Sequence, residues 1–125
     1  MQIMSSENEM IAVVDDDPEM RSAMARLLRG LGYDAWTFDS ARTFLNCASR
    51  CKAICLVVDI QLGEICGIDL ACRLAAEGFK FPIIFMSGRD DATVRKKACD
   101  AGGIAFLRKP FGANILVEAL RKATG

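Results

Sequence analysis

The sequence predicts an α/β domain: one open, doubly wound sheet of five parallel strands with helices on both faces. Three observations predict it. Short continuous apolar runs alternate with stretches whose apolar residues recur at helical spacing, which marks strands buried on both faces between crossover helices. The connections are short, so right-handed crossovers fold each helix back onto the sheet. The chain has 125 residues, 52% of them hydrophobic and 26% charged, which suits one packed domain and makes two independent domain cores hard to build. Residues 1–125 are therefore read as a single domain with a core of about 9–123, and residues 1–8 as a flexible tail. No repeat, low-complexity tract or second domain is expected.

The elements follow in order. Residues 10–14, MIAVV, form a buried strand. Asp17 caps the first helix, and Pro18 takes its first position. Met20, Met24, Leu27, Leu28 and Leu31 line that helix, and Gly30 and Gly32 stop it. Residues 33–38 make a second strand of exposed character, suited to a sheet edge. Ser40 caps a short helix carrying Phe44 and Leu45, and residues 47–53 read as a loop. Residues 53–58, AICLVV, are the most apolar strand and run into Asp59. Gly63 and Gly67 punctuate the next loop. Ile68, Leu70, Ala71, Leu74 and Ala75 mark a third helix, ended near Gly78. Residues 81–86 form a fourth strand, with Pro82 near its start where the missing N–H is tolerated. Asp90 or Asp91 opens a fourth helix, closed by Gly102 and Gly103. Residues 104–107 are the fifth strand, and Asn114 caps a last helix over 115–122.

Composition narrows the chemistry. Lys+Arg and Asp+Glu are 16 each, so no net positive charge draws the chain to nucleic acid, and direct nucleic-acid binding is not expected. With no histidine, the Ser-His-Asp, Cys-His and His-metal chemistries are all excluded. Glu7, Glu9, Asp15, Asp16, Asp17 and Glu19 crowd the first twenty residues without one basic residue, which points to a local cation site. No secretory signal and no membrane-length apolar run is visible. The expectation is a cytoplasmic protein with reduced thiols at Cys47, Cys51, Cys55, Cys66, Cys72 and Cys99. Their spacing does not make a zinc site, and Cys55 reads as a small buried hydrophobe.

In a doubly wound sheet, ligands bind outside the carboxyl ends of the strands. Asp15 and Asp16 follow the first strand, Asp59 the third, Ser87 the fourth and Lys109 the fifth. Three clustered carboxylates repel one another, and an oxygen-seeking divalent cation such as Mg2+ relieves that repulsion. Metal, ammonium and hydroxyl together stabilise a transferring phosphoryl group, and a carboxylate can serve as its nucleophile. The residue types thus indicate Mg2+-dependent phosphoryl chemistry on an aspartate.

The segments VVDDDP, LVVDIQLGEICG, IIFMSG and FLRKPF, in this order and each ending a strand, resemble the receiver domain of bacterial two-component response regulators. The resemblance implies a flavodoxin-like (βα)5 fold with strand order 2-1-3-4-5. It implies Asp59 as the phosphoacceptor. Mg2+ would be bound by Asp16, Asp59 and the backbone carbonyl of Gln61, with Asp15 acting mainly through a water. Ser87 and Lys109 would bind the phosphoryl group, Ser87 and Phe106 would form the switch, and Pro110 would follow a cis bond. Two departures stand out. Gly63 replaces a proline usual in that loop, and Phe106 lacks the hydroxyl of the tyrosine often found there, so a switch at Phe106 rests on packing. Residues 87–111 most resemble receivers that control helix-turn-helix transcription factors.

The function implied is a phosphorylation-dependent switch rather than a turnover enzyme, though one that assists its own phosphorylation and dephosphorylation. The donor is a histidine kinase or a histidine phosphotransfer protein, and the output is a change in the face made by the fourth helix, fifth strand and fifth helix. A homodimer through that face is a further expectation; a membrane partner is not. Three other readings compete. Asp15-x-Asp17 loosely mimics the nucleophile motif of haloacid-dehalogenase phosphatases, but Glu118 is the only acid after Lys109. A degenerate receiver acting only as a binding module would not need the complete acidic set. A flavin site would want Gly, Ser and Thr donors after the first strand rather than acids. Asp17 is more simply a cap, Phe106 can be plain core, and Arg95, Lys96 and Lys97 read as a solvated helix face.

Overall fold

A computed structural model describes residues 8–125, so the tail expected over 1–8 lies, but for Asn8, outside the described residues. Five strands, β1 (Met10–Val14), β2 (Asp34–Phe38), β3 (Cys55–Asp59), β4 (Ile83–Ser87) and β5 (Gly103–Arg108), pair in parallel in the order β2-β1-β3-β4-β5. Four helices separate them, α1 (Pro18–Gly30), α2 (Ala41–Cys47), α3 (Gly67–Ala76) and α4 (Ala92–Asp100), and a fifth, α5 (Ala113–Thr124), follows β5. The predicted fold class and strand order are those observed.

Successive strand side chains point to opposite faces, and each face builds its own core. Ile11, Val13, Cys55, Val57, Ile84, Met86 and Leu107 pack beneath α1 and α5, against Met24, Leu28, Leu116 and Leu120. Ala12, Val14, Leu56, Val58, Ile83 and Phe85 pack on the other side, against Phe44, Leu70, Leu74 and Ala98 of α2, α3 and α4. β1, β3 and β4 are covered on both sides, which explains their unbroken apolar sequence. β2 is an edge strand, and Trp36 on it stays exposed.

Caps set the helix starts. Asp17, Ser40 and Asp91 accept from the N–H of Glu19, Thr43 and Val94, so Asp91 rather than Asp90 opens α4. Three local readings need correction. Gly112, not Asn114, occupies the α5 cap, because its carbonyl accepts from Ile115 and Leu116 at 3.2 and 3.3 Å. Residues 47–53 contain a 3-10 turn, Ala48–Arg50, held by Cys51 N–H on the Ala48 carbonyl. Gly103 does not end α4 but begins β5. There a Cβ would stand 2.7 Å from the Phe85 ring and 2.9 Å from the Ala98 carbonyl, so only glycine lets the strand pass.

Candidate functional site

The carboxyl ends of β1, β3, β4 and β5 meet on one rim. Asp15 continues β1 by one residue, its N–H donating to the Phe38 carbonyl at 3.0 Å, and that ladder bond draws its side chain into full burial. Its Oδ1 accepts from the Asp17 N–H at 2.9 Å, and its carbonyl accepts from the Arg21 guanidinium at 2.8 Å. Asp59 is the last residue of β3 and is 4% exposed. Its Oδ1 accepts from the Gln61 N–H at 3.0 Å. Behind it α3 begins at Gly67, where any Cβ would collide with the Asp59 carbonyl oxygen and come within 2.9 Å of Val58 Cγ1. A glycine here lets the helix approach the acid closely.

Lys109 follows β5 and is tethered by its N–H to the Ser87 carbonyl at 2.8 Å. Its peptide bond to Pro110 is cis. Its ammonium donates to Asp59 Oδ2 at 2.9 Å and to Asp15 Oδ2 at 3.0 Å, bridging acids that lie far apart in sequence. Asp16 is exposed, and it completes a set of three carboxylates whose oxygens lie within 4.8 Å of one another.

Electrostatics follow from this packing. Burial pushes the Asp59 carboxyl above its ordinary value; the Lys109 hydrogen bond opposes this and the neighbouring charge of Asp15 adds to it. Burial disfavours the Lys109 ammonium, but its bonds and charges with Asp59 and Asp15 outweigh burial and hold its pKa above the usual lysine value. Three carboxylates and one ammonium leave a net charge of about −2 if all are ionised, on hard oxygen donors that suit a divalent cation. The donor set therefore fits Mg2+.

The family model described as the response regulator receiver domain matches residues 11–121. The chain belongs to that family. It is 38% identical over 122 residues to the response regulator protein TmoT of Ectopseudomonas mendocina, covering 98% of this chain and 56% of that protein. Among solved structures it is similar to FixJ-N, with a TM-score of 0.88, 27% identity and 94% of each chain covered. It is also similar to a response regulator receiver protein from Burkholderia phymatum, with a TM-score of 0.83, 36% identity, and 94% and 96% covered. The chain spans about half the length of the curated relatives it matches, 56% and 53% for the first two. No helix among the described residues is long and apolar enough to cross a membrane.

In this receiver, Asp15, Asp16, Asp59 and Lys109 come together, but Ser87 is engaged elsewhere. Its fully buried hydroxyl donates to the Gln61 side-chain carbonyl at 2.8 Å and accepts from the Arg89 N–H at 2.9 Å. Gln61 thus touches the site through its side chain and its N–H, two contacts beyond the backbone carbonyl that the resemblance implied. Arg21 on the Asp15 carbonyl was also missed; a base early in a helix that follows an acidic turn was its only signal. Phe106 is half-buried on β5, and the Arg95 guanidinium lies 4.7 Å from its ring centroid. Arg95 in turn pairs with Asp90; it lies, with Lys96 and Lys97, on the exposed helix face expected for them. Glu118 stands on the outside of α5, paired with Arg121 at 3.4 Å, and is not part of the acidic cluster. All six cysteines are free, and burial pushes the Cys55 thiol up to about 12.

Proposed function

We propose that this receiver is a phosphorylation-dependent signalling switch whose phosphoacceptor is Asp59. The donor is the phosphohistidine of a histidine kinase or a histidine phosphotransfer protein, which fits a chain with no histidine of its own. One observation carries the reading: a single ammonium bridges two buried carboxylates at the strand ends, beside a third, exposed acid.

In the transfer, an Asp59 carboxylate oxygen forms a bond to phosphorus while the phosphorus–nitrogen bond of the donor breaks, and the imidazole leaves with that electron pair. Asp15, Asp16, Asp59 and the Gln61 backbone carbonyl would hold Mg2+, which when bound supplies positive charge against the phosphoryl oxygens. Lys109 is already at Asp59 Oδ2 and needs no long movement to pair with a phosphoryl oxygen. Ser87 would donate to another. Because Lys109 is also fixed to Ser87 through its backbone, the new charge can shift the resting balance of β4, α4 and β5 together. Phe106 lies on that route, and the outer face of α4, β5 and α5 is the surface read by a partner or a second copy. The Asp15-to-Asp59 set supports an active receiver over a passive binding module, and the cytoplasm is the compartment where such donors act on it.

The test is intact mass after incubation with Mg2+ and acetyl phosphate. A gain of one phosphoryl group, labile to base and absent in Asp59→Asn, is expected. Retention of the gain in Asp59→Asn overturns the assignment.

A further inference from the structure

We infer that the Gln61 side chain is a positioning residue that restrains Ser87 in the resting protein and must release it before Ser87 can meet a phosphoryl group on Asp59. The inference rests on Asp59 as the phosphoacceptor and adds a device that sets how strongly the site responds.

Hydrogen-bond capacity sets the restraint. A serine hydroxyl has a single proton to donate. In Ser87 that proton goes to Gln61 Oε1 at 2.8 Å, and its oxygen accepts from the Arg89 N–H at 2.9 Å. The hydroxyl is fully buried, so water does not offer an alternative partner. A phosphoryl oxygen arriving on Asp59 therefore competes with Gln61 for the same proton. It wins because a charged acceptor makes the stronger bond. Gln61 is well placed to sense the arrival, since its own N–H donates to Asp59 Oδ1 at 3.0 Å. One residue thus touches the acceptor with its backbone and the reader with its side chain. Gln61 is itself exposed, so its carboxamide can swing into solvent and regain hydrogen bonds there. The restraint is breakable, and its grip is that of one neutral hydrogen bond, on the order of a threefold to tenfold effect on the apparent affinity for a phosphoryl mimic.

The experiment is an NMR titration with beryllofluoride and Mg2+ of wild type, Gln61→Met, Ser87→Ala and the double variant. Methionine keeps the length of glutamine and removes the acceptor. In Gln61→Met the Arg89 amide resonance should move before any mimic is added, because its partner hydroxyl is free to rotate. The mimic should then bind roughly threefold to tenfold more tightly than to wild type. In the Ser87→Ala background, Gln61→Met should change the affinity by less than about twofold. An unmoved Arg89 resonance with unchanged affinity in Gln61→Met overturns the inference, as does a gain that persists without Ser87. If wild type binds no beryllofluoride, the phosphoacceptor reading itself fails and the restraint fails with it. Binding by wild type with no response to Gln61→Met removes the restraint alone.

Discussion

The rim and the α4–β5 face both pair aspartate with a basic side chain, yet the two pairs stand in opposite surroundings. On the rim, Asp15 and Asp59 are buried and share one lysine at 3.0 and 2.9 Å. On the face, Arg95 pairs with Asp90 and stacks over Phe106 with its own side chain 52% exposed. Water screens the second pair and would replace either partner cheaply. It cannot do so for the first. On the rim burial dominates and drives the Asp59 carboxyl upward; at Asp90 the Arg95 hydrogen bond dominates and holds the carboxyl below its ordinary value. The same residue types therefore store charge tension in one place and lend only modest order in the other.

The largest expected effect comes from removing the shared ammonium. Lys109→Met leaves two buried carboxylates without a counter-charge, and breaking such a pair costs roughly 3 kcal/mol or more. Urea or thermal unfolding at neutral pH measures it. The loss should shrink as pH falls, because Asp59, already raised by burial, takes up a proton and the repulsion disappears. On the alkaline side the sign is fixed by the raised pKa of Lys109. Its contribution is complete below the ordinary lysine pKa and is lost as pH rises through the raised value, so wild type and Lys109→Met should converge there. A Lys109→Met protein as stable as wild type at pH 7 would mean that burial does not separate the two regions.

A middle-sized effect tests whether the rim's tension is relieved by a cation. Mg2+ that binds only the folded chain should stabilise it by about 1.4 kcal/mol at ten times its Kd, read as a rise in melting temperature. In Asp16→Asn most of that rise should vanish, while stability without Mg2+ should stay level or improve, since one repelling charge is gone. An undiminished Mg2+ response in Asp16→Asn would take this residue out of the site.

How much of this was legible beforehand differs between the same two regions. The rim could be read because Asp15 and Asp59 stand directly after AVV and LVV, runs buried on both faces that leave no ambiguity about where a strand ends, while Lys109 follows the shorter apolar signal of the edge strand β5. Once five strand ends are known, the parallel topology alone brings Asp15, Asp59 and Lys109 to one edge. Contacts that depend on side-chain reach escaped. Gln61 meets Ser87 across 26 residues, and either side chain alone reads as an ordinary loop or turn residue. Asn114 outranks Gly112 as a cap by propensity, but backbone hydrogen bonding starts α5 earlier. Gly103 reads as a helix stop because its reason for being glycine, the Phe85 ring and the Ala98 carbonyl, lies in other elements.

The smallest effect on stability is expected at Arg95, and it sharpens the comparison most. Arg95→Ala removes both the bond to Asp90 and the cation over the Phe106 ring. Each partner keeps access to solvent, so the melting temperature should change far less than in Lys109→Met. The ring should nonetheless report the loss. A guanidinium over an aromatic face shields and restrains it, so the Phe106 ring resonances should move and broaden in Arg95→Ala, while Arg95→Lys should restore the charge but not the stacked, two-point geometry. Ring signals unchanged from wild type would show that Arg95 is only a solvated charge. A destabilisation rivalling that of Lys109→Met would be more consequential, because it would place the α4–β5 face, rather than the buried rim, at the centre of the molecule's electrostatic balance.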